Sequence, residues 1–213
     1  MKQNVFLLLI IVLISCDKDD VKPNIKESGF LENYLTNNPR ISVLKTTDSH
    51  VVYTGGVATH RGYVFKPLAD LKVTSFGGRI AEPGVYNFEL FKLNAWWVSV
   101  NDTLLLDSIN ITNTSSFQYK RIDKEILLLK NEKYLIRYFN ETHNSVYDAG
   151  IGWSPTDTTN YIRFPLVVDD VEIEIPYYTY HTKFNGQYWQ TQAGTFNYGI
   201  LRGLIDFKYE LVK

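Results

Sequence analysis

Over much of the chain, apolar and polar side chains alternate with a period of two, the spacing that sends successive residues to opposite faces of a strand. Ile205, Phe207, Tyr209 and Leu211 form one such set, and Asp206, Lys208 and Glu210 the other. Val171, Ile173 and Ile175 alternate with Glu172 and Glu174 in the same way. Comparable stretches predict strands over residues 61–65, 71–76, 85–93, 103–112, 117–121, 126–129 and 133–139. Turn-forming residues separate them at Lys66-Pro67, Gly77-Gly78, Glu82-Pro83-Gly84, Asn94, Asn113-Thr114-Ser115 and Lys130-Asn131-Glu132. Many short strands without long helical stretches between them predict an all-β, antiparallel β-sandwich, with a closed barrel as the alternative.

The N-terminus breaks this pattern. Residues 5–14 are uninterruptedly apolar, with Lys2 ahead of them and Ser15-Cys16 behind. Ten apolar residues are too few to span a bilayer comfortably, and a run ending on a small residue is expected to be a cleaved export signal. An uncleaved anchor or a buried strand are the alternatives. Cys16 is the only cysteine, so the chain has no disulfide and no Cys-based metal cluster. Leu13-Ile14-Ser15-Cys16 resembles the lipobox of bacterial lipoproteins. That resemblance implies removal of residues 1–15, a lipid on Cys16, and the membrane as partner. Lys18-Asp19-Asp20 resembles the signal that carries lipoproteins of Bacteroidetes-type bacteria to the outer face of the outer membrane.

Residues 16–39 read as lipid anchor and tether, within which Phe30-Leu31 and Tyr34-Leu35 have the spacing of a short docking helix. Residues 40–213 then form one domain, long enough to bury a core without staples. Its 15 Tyr, 12 Phe and 4 Trp suit pleated surfaces and reinforce the strand assignment. With 22 Lys and Arg against 23 Asp and Glu, and no basic run, the charge pattern offers nothing to nucleic acid.

The order of strands carries a further resemblance. Gly62-Tyr63-Val64-Phe65 is followed by Leu71 to Phe76, a glycine pair, then Gly84 to Phe91; Phe117-Gln118-Tyr119, Ile126 to Leu129 and Lys133 to Tyr138 come next. This pattern is similar to the bacterial domain-of-unknown-function family numbered 4082. The resemblance implies a jelly-roll-like sandwich of exported proteins and supplies no catalytic residues.

Catalytic motifs are sparse. His50, His60, His143 and His181 lie too far apart in sequence for a paired metal motif, and there is no GxSxG elbow, phosphate loop or GxGxxG. Asp169-Asp170 reads as a solvated turn before a strand rather than a calcium site. No cofactor, metal or enzymatic activity is expected. Binding remains, because aromatic faces with a few amides can hold a sugar. The candidates are Trp97, Tyr177, Gln187 and Trp189, the last in a loop-like context near Gly186 and Gly194. The expectation is a lipid-anchored, surface-displayed binding module for a glycan or another surface ligand; the alternative is an envelope assembly protein that binds a protein partner.

Overall fold

The computed structural model describes residues 26–47, 57–93, 100–140, 145–151, 162–184, 187–192, 198–199 and 201–212. One helix, α1 (Phe30–Asn37), precedes the strands β1 (Ile41–Thr47), β2 (Val57–Pro67), β3 (Leu71–Arg79), β4 (Gly84–Leu93) and β5 (Val100–Ile111). They continue as β6 (Gln118–Leu128), β7 (Tyr134–Asn140), β8 (Ser145–Ile151), β9 (Ile162–Arg163) and β10 (Leu166–Val168). The last five are β11 (Val171–Phe184), β12 (Gln187–Gln192), β13 (Tyr198–Gly199), β14 (Leu201–Arg202) and β15 (Leu204–Leu211).

The largest sheet has the order β10-β11-β2-β7-β4-β5, with β12 added to β11. Two three-stranded sheets, β15-β3-β6 and β1-β8-β14, accompany it. Their ladders are antiparallel. The large sheet ends at β10 and β5, so the protein is the all-β antiparallel sandwich that the alternation predicts.

Period-two patterning explains the core. Tyr63 and Phe65 of β2, Tyr134, Ile136 and Tyr138 of β7, and Tyr86, Phe88 and Leu90 of β4 all point inward and are buried. They meet Phe76 of β3 and Phe207 and Tyr209 of β15; Phe65 lies 5.3 Å from Phe207 and Phe76 lies 5.5 Å from Phe88, centroid to centroid. Each such side chain contributes on the order of 1.5–3 kcal/mol by leaving water. Arg61 shares this inward set and pairs with Asp148 of β8 at 3.6 Å, both buried, so the layers are also joined by charge. Asp148 accepts a further hydrogen bond from the Gly203 amide at 3.1 Å.

Gly77-Gly78, expected as a turn, lies inside β3 instead. A Cβ at Gly77 would overlap the Gln118 carbonyl, so glycine serves close backbone approach in the ladder rather than reversal of the chain. The two strands expected over 117–121 and 126–129 are one strand, β6, whose register against β3 jumps from Ile126↔Val73 to Arg121↔Ser75. The four intervening residues form an irregularity that polar Asp123, Lys124 and Glu125 made look like a connection. The helix grouped with the tether is docked: Phe30 and Leu31 are buried, and Phe30 packs on Phe207 at 4.8 Å.

Candidate functional site

Helix α1 starts with a glycine, Gly29, which has no side chain to satisfy the first helical amides. The acceptor comes instead from β15. Asp206 Oδ1 accepts from the Leu31 amide at 3.2 Å and the Phe207 amide at 2.8 Å, and Oδ2 accepts from the Glu32 amide at 2.9 Å. A Cβ at Gly29 would overlap both this carboxyl and the Tyr119 hydroxyl, which is why the helix begins on glycine.

The Tyr119 hydroxyl lies 2.8 Å from Asp206 Oδ2 and 3.0 Å from Glu32 Oε2. A phenol has one hydrogen and here has two carboxyl neighbours. Asp206 is fully buried, and burial pushes its carboxyl up to about 7 against the opposing pull of its hydrogen bonds. A proton on Asp206 completes the chain, passing a hydrogen bond to Tyr119, which donates in turn to Glu32. Burial, reinforced by the two acidic neighbours, pushes the Tyr119 phenol far up, so it stays protonated. Because three amides and the Tyr119 hydroxyl engage both Asp206 oxygens, this carboxyl organises the helix and has no free face for a substrate.

Glu32 forms part of the wall of a cleft of about 340 Å³ between α1, β1, the end of β3 and the loop before β6. Leu35, Val43 and Phe117 give it apolar surface, while Thr36, Arg79, Ser115 and Ser116 bring polar groups. The loop is held by its own side chains. Gln118 Oε1 accepts from the amides of Thr112 and Asn113 at 2.8 and 3.0 Å, and Asn113 Oδ1 accepts from the Ser115 amide at 2.9 Å. Asn113 Nδ2 donates to Ser116 Oγ at 3.0 Å, which leaves the Ser116 hydroxyl hydrogen for another acceptor. Phe117 stacks nearly parallel on Tyr119, with centroids 6.2 Å apart. The cleft wall is therefore fixed before any ligand arrives.

Arg79 is the unusual member. Its guanidinium carbon sits 4.6 Å over the Tyr147 ring, and its buried Nε has no hydrogen-bond partner among the described residues. Among the described residues it makes no ion pair. Arg137, on the outer face of the large sheet, shows the contrast: it is bonded to Glu89, reaches the Tyr177 hydroxyl at 3.1 Å and lies over the Phe91 ring at 4.9 Å.

The residues singled out in the sequence lie elsewhere. Cys16, Lys18, Asp19, Asp20 and Trp97 are outside the described residues, as are His50 and His143. Tyr177 is on β11 and buried, packed with Val64, Phe91, Leu93 and Leu135 in a small cluster on the face opposite the main core. Gln187 and Trp189 belong to β12, opposite Phe184 and Thr182 in the ladder. Trp189 is thus in a strand and not in a loop, because β11 extends far beyond its acidic start and β12 pairs with that extension. Asp169-Asp170 forms the β10–β11 turn, with Asp169 at φ 50° and Asp170 accepting from the Tyr209 hydroxyl at 2.9 Å. Among the described residues no three His, Cys, Asp or Glu side chains converge as metal ligands.

Of the cleft, the sequence pattern marks the helix of Phe30-Leu31 and Tyr34-Leu35 and the Asn113-Thr114-Ser115 turn, but not their meeting with Val43 and Arg79. The sequence matches no family model and no curated protein. No helix among the described residues is long and apolar enough to cross a membrane.

Proposed function

We propose that the protein is a lipoprotein of the outer membrane, anchored through Cys16 and turned to the cell exterior by Lys18-Asp19-Asp20, whose sandwich acts by binding a glycan and not by catalysis. The preformed cleft beside α1 is the observation that carries the binding part. It combines an aromatic wall at Phe117 with hydroxyl, carboxylate and guanidinium groups, the mixture used to orient a small polar ligand, and its volume falls within the range of such sites. The run of residues 5–14 ending at Ser15-Cys16 supports the anchor. The strand order from Gly62 to Tyr138 supports grouping the domain with the 4082 module.

A second reading is an assembly protein of the envelope. Edge strand β5 and its neighbour β4 favour it, since Leu106 and Val85 are 67% and 65% exposed there and an open edge accepts a further strand.

Glycan-array binding by the full chain in detergent separates the two: saccharide binding supports the first, and an array with no bound glycan promotes the second. For the anchor, radioactive fatty acid should label the native protein and leave Cys16→Ala unlabelled. Equal labelling of both would remove the lipoprotein reading.

A further inference from the structure

Among the described residues lining the cleft, Arg79 is the charged group whose bonding is incomplete, and Ser116 keeps a hydroxyl hydrogen to donate. Glu32 receives the Tyr119 hydroxyl at 3.0 Å, Thr36 Oγ1 donates to the Glu32 carbonyl at 2.8 Å, and Ser115 Oγ donates to Asn113 Oδ1 at 2.6 Å. Arg79 has a ring beneath its guanidinium and no carboxylate beside it among the described residues. A guanidinium is charged at all accessible pH values and presents a planar fork of donors that matches two oxygens of one anion. Leaving it half-buried without an anion forgoes an interaction that most such groups obtain, as Arg137 does from Glu89. Nε itself is shut off from solvent, so an anion in the cleft would meet the two terminal Nη groups, which have no protein partner among the described residues.

The rest of the cleft restricts that occupant. The cleft is also lined by an anion, Glu32, and by the hydroxyls of Thr36 and Ser116. A small inorganic anion would use the fork and accept from Ser116, but it has no apolar face for Phe117 and no hydroxyl to offer Glu32, whose charge repels it. A neutral sugar would use the hydroxyls and Phe117 and leave the fork idle. A sugar bearing a carboxylate uses both, with its charge on Arg79 and its ring hydroxyls directed to Glu32, where a carboxylate would be repelled.

We propose that the cleft binds an acidic saccharide, a uronate, whose carboxylate pairs with Arg79 while Thr36, Ser116 and Glu32 take ring hydroxyls and Phe117 faces the sugar's apolar side. This rests on the glycan-binding reading above and names its ligand class.

Titration calorimetry on the full chain in detergent would use a galacturonate trimer, the same trimer as its methyl ester, a neutral galactose trimer and a sulfated galactose trimer. The acid should bind at least tenfold more tightly than the ester or the neutral trimer. Arg79→Gln should bring acid and ester to the same weak affinity, and Arg79→Lys, which keeps the charge without the fork, should retain only part of the preference. Ser116→Ala, at an exposed loop position, should weaken acid and ester together and leave their ratio unchanged.

Equal binding of acid and ester to the native protein would overturn the proposal while leaving glycan binding intact. Tighter binding of the sulfated trimer than of the uronate would overturn the assignment of a carboxylate. If no trimer binds and the glycan array is also empty, the binding reading itself fails. If Arg79→Gln lowers the melting temperature, Arg79→Lys and Ser116→Ala still decide: a preference for acid that survives in Arg79→Lys undiminished would overturn the role of the fork.

Discussion

Asp206→Ala is expected to destabilise the protein by at least about 3 kcal/mol at pH 5, and by clearly less at pH 8. The substitution leaves the amides of Leu31, Glu32 and Phe207 without their acceptor and removes one partner of the Tyr119 hydroxyl, and each buried donor left without an acceptor costs about 1–3 kcal/mol. The pH dependence follows from burial, which raises the carboxyl from its ordinary 3.8 to about 7. The folded protein therefore holds this proton more tightly than the unfolded chain. The stabilisation is complete below pH 3.8 and declines as pH rises to about 7, by on the order of 4 kcal/mol in total. Asp206→Asn cannot ionise, so it should remove that slope; its amide group also faces backbone donors, so it remains less stable than the native protein at pH 5. Urea unfolding at pH 5, 6, 7 and 8 measures both effects. A difference between native and Asp206→Asn that stays constant across this range would contradict the buried, proton-holding role.

Phe30→Ala should cost about 3–5 kcal/mol, the usual range for emptying a buried aromatic site. Its ring touches Phe207 at 4.8 Å and stands edge-on to Tyr63 at 6.0 Å, so the lost volume lies between the helix and both layers of the core. Helix α1 has eight residues, too few to persist without tertiary contacts. Loss of Phe30 should therefore free the helix before the sheets, raising amide exchange over residues 31–37 while β2 and β7 stay protected. Because Glu32, Leu35 and Thr36 lie on this helix, ligand affinity should fall with it. Hydrogen exchange by mass spectrometry reads both segments in one experiment, and uniform exchange in helix and sheet would mean that α1 is not separately anchored.

The same residues show what was legible in the chain. The alternation of Ile205, Phe207, Tyr209 and Leu211 with polar neighbours marked β15 correctly, because one face of that strand fills the core. It put Asp206 with Lys208 and Glu210 on the opposite, polar face, and Asp206 is fully buried. Period-two patterning records only polarity, and a helix from a distant segment covers that face at Asp206. Phe30-Leu31 and Tyr34-Leu35 signalled that helix but not its docking site. The Gly77-Gly78 pair read as a turn because glycine's freedom and glycine's smallness look alike in sequence, and β3 uses the smallness. Strands β1 and β8, which pair from Ile41↔Ile151 to Thr47↔Ser145, escaped because their alternation is weak and their partners lie far apart in the chain. The cleft was hidden for the same reason: Arg79 is an ordinary charge in sequence, and only the meeting of α1, β3 and the loop at residues 112–117 shows that it has no anion beside it among the described residues. Aromatic density drew attention to Tyr177, whose ring is packed, since exposed and packed rings have the same letters.

Whether the cleft beside α1 is where the protein binds is tested most directly by an exchange footprint of the full chain saturated with a bound saccharide. Amide protection should rise over residues 31–36 and 112–118, which carry Glu32, Thr36, Ser115, Ser116 and Phe117, and remain unchanged in β11 and β12. Protection gained in β11 and β12 with none at the cleft would contradict it and return the site to the aromatic stretch around Tyr177 and Trp189.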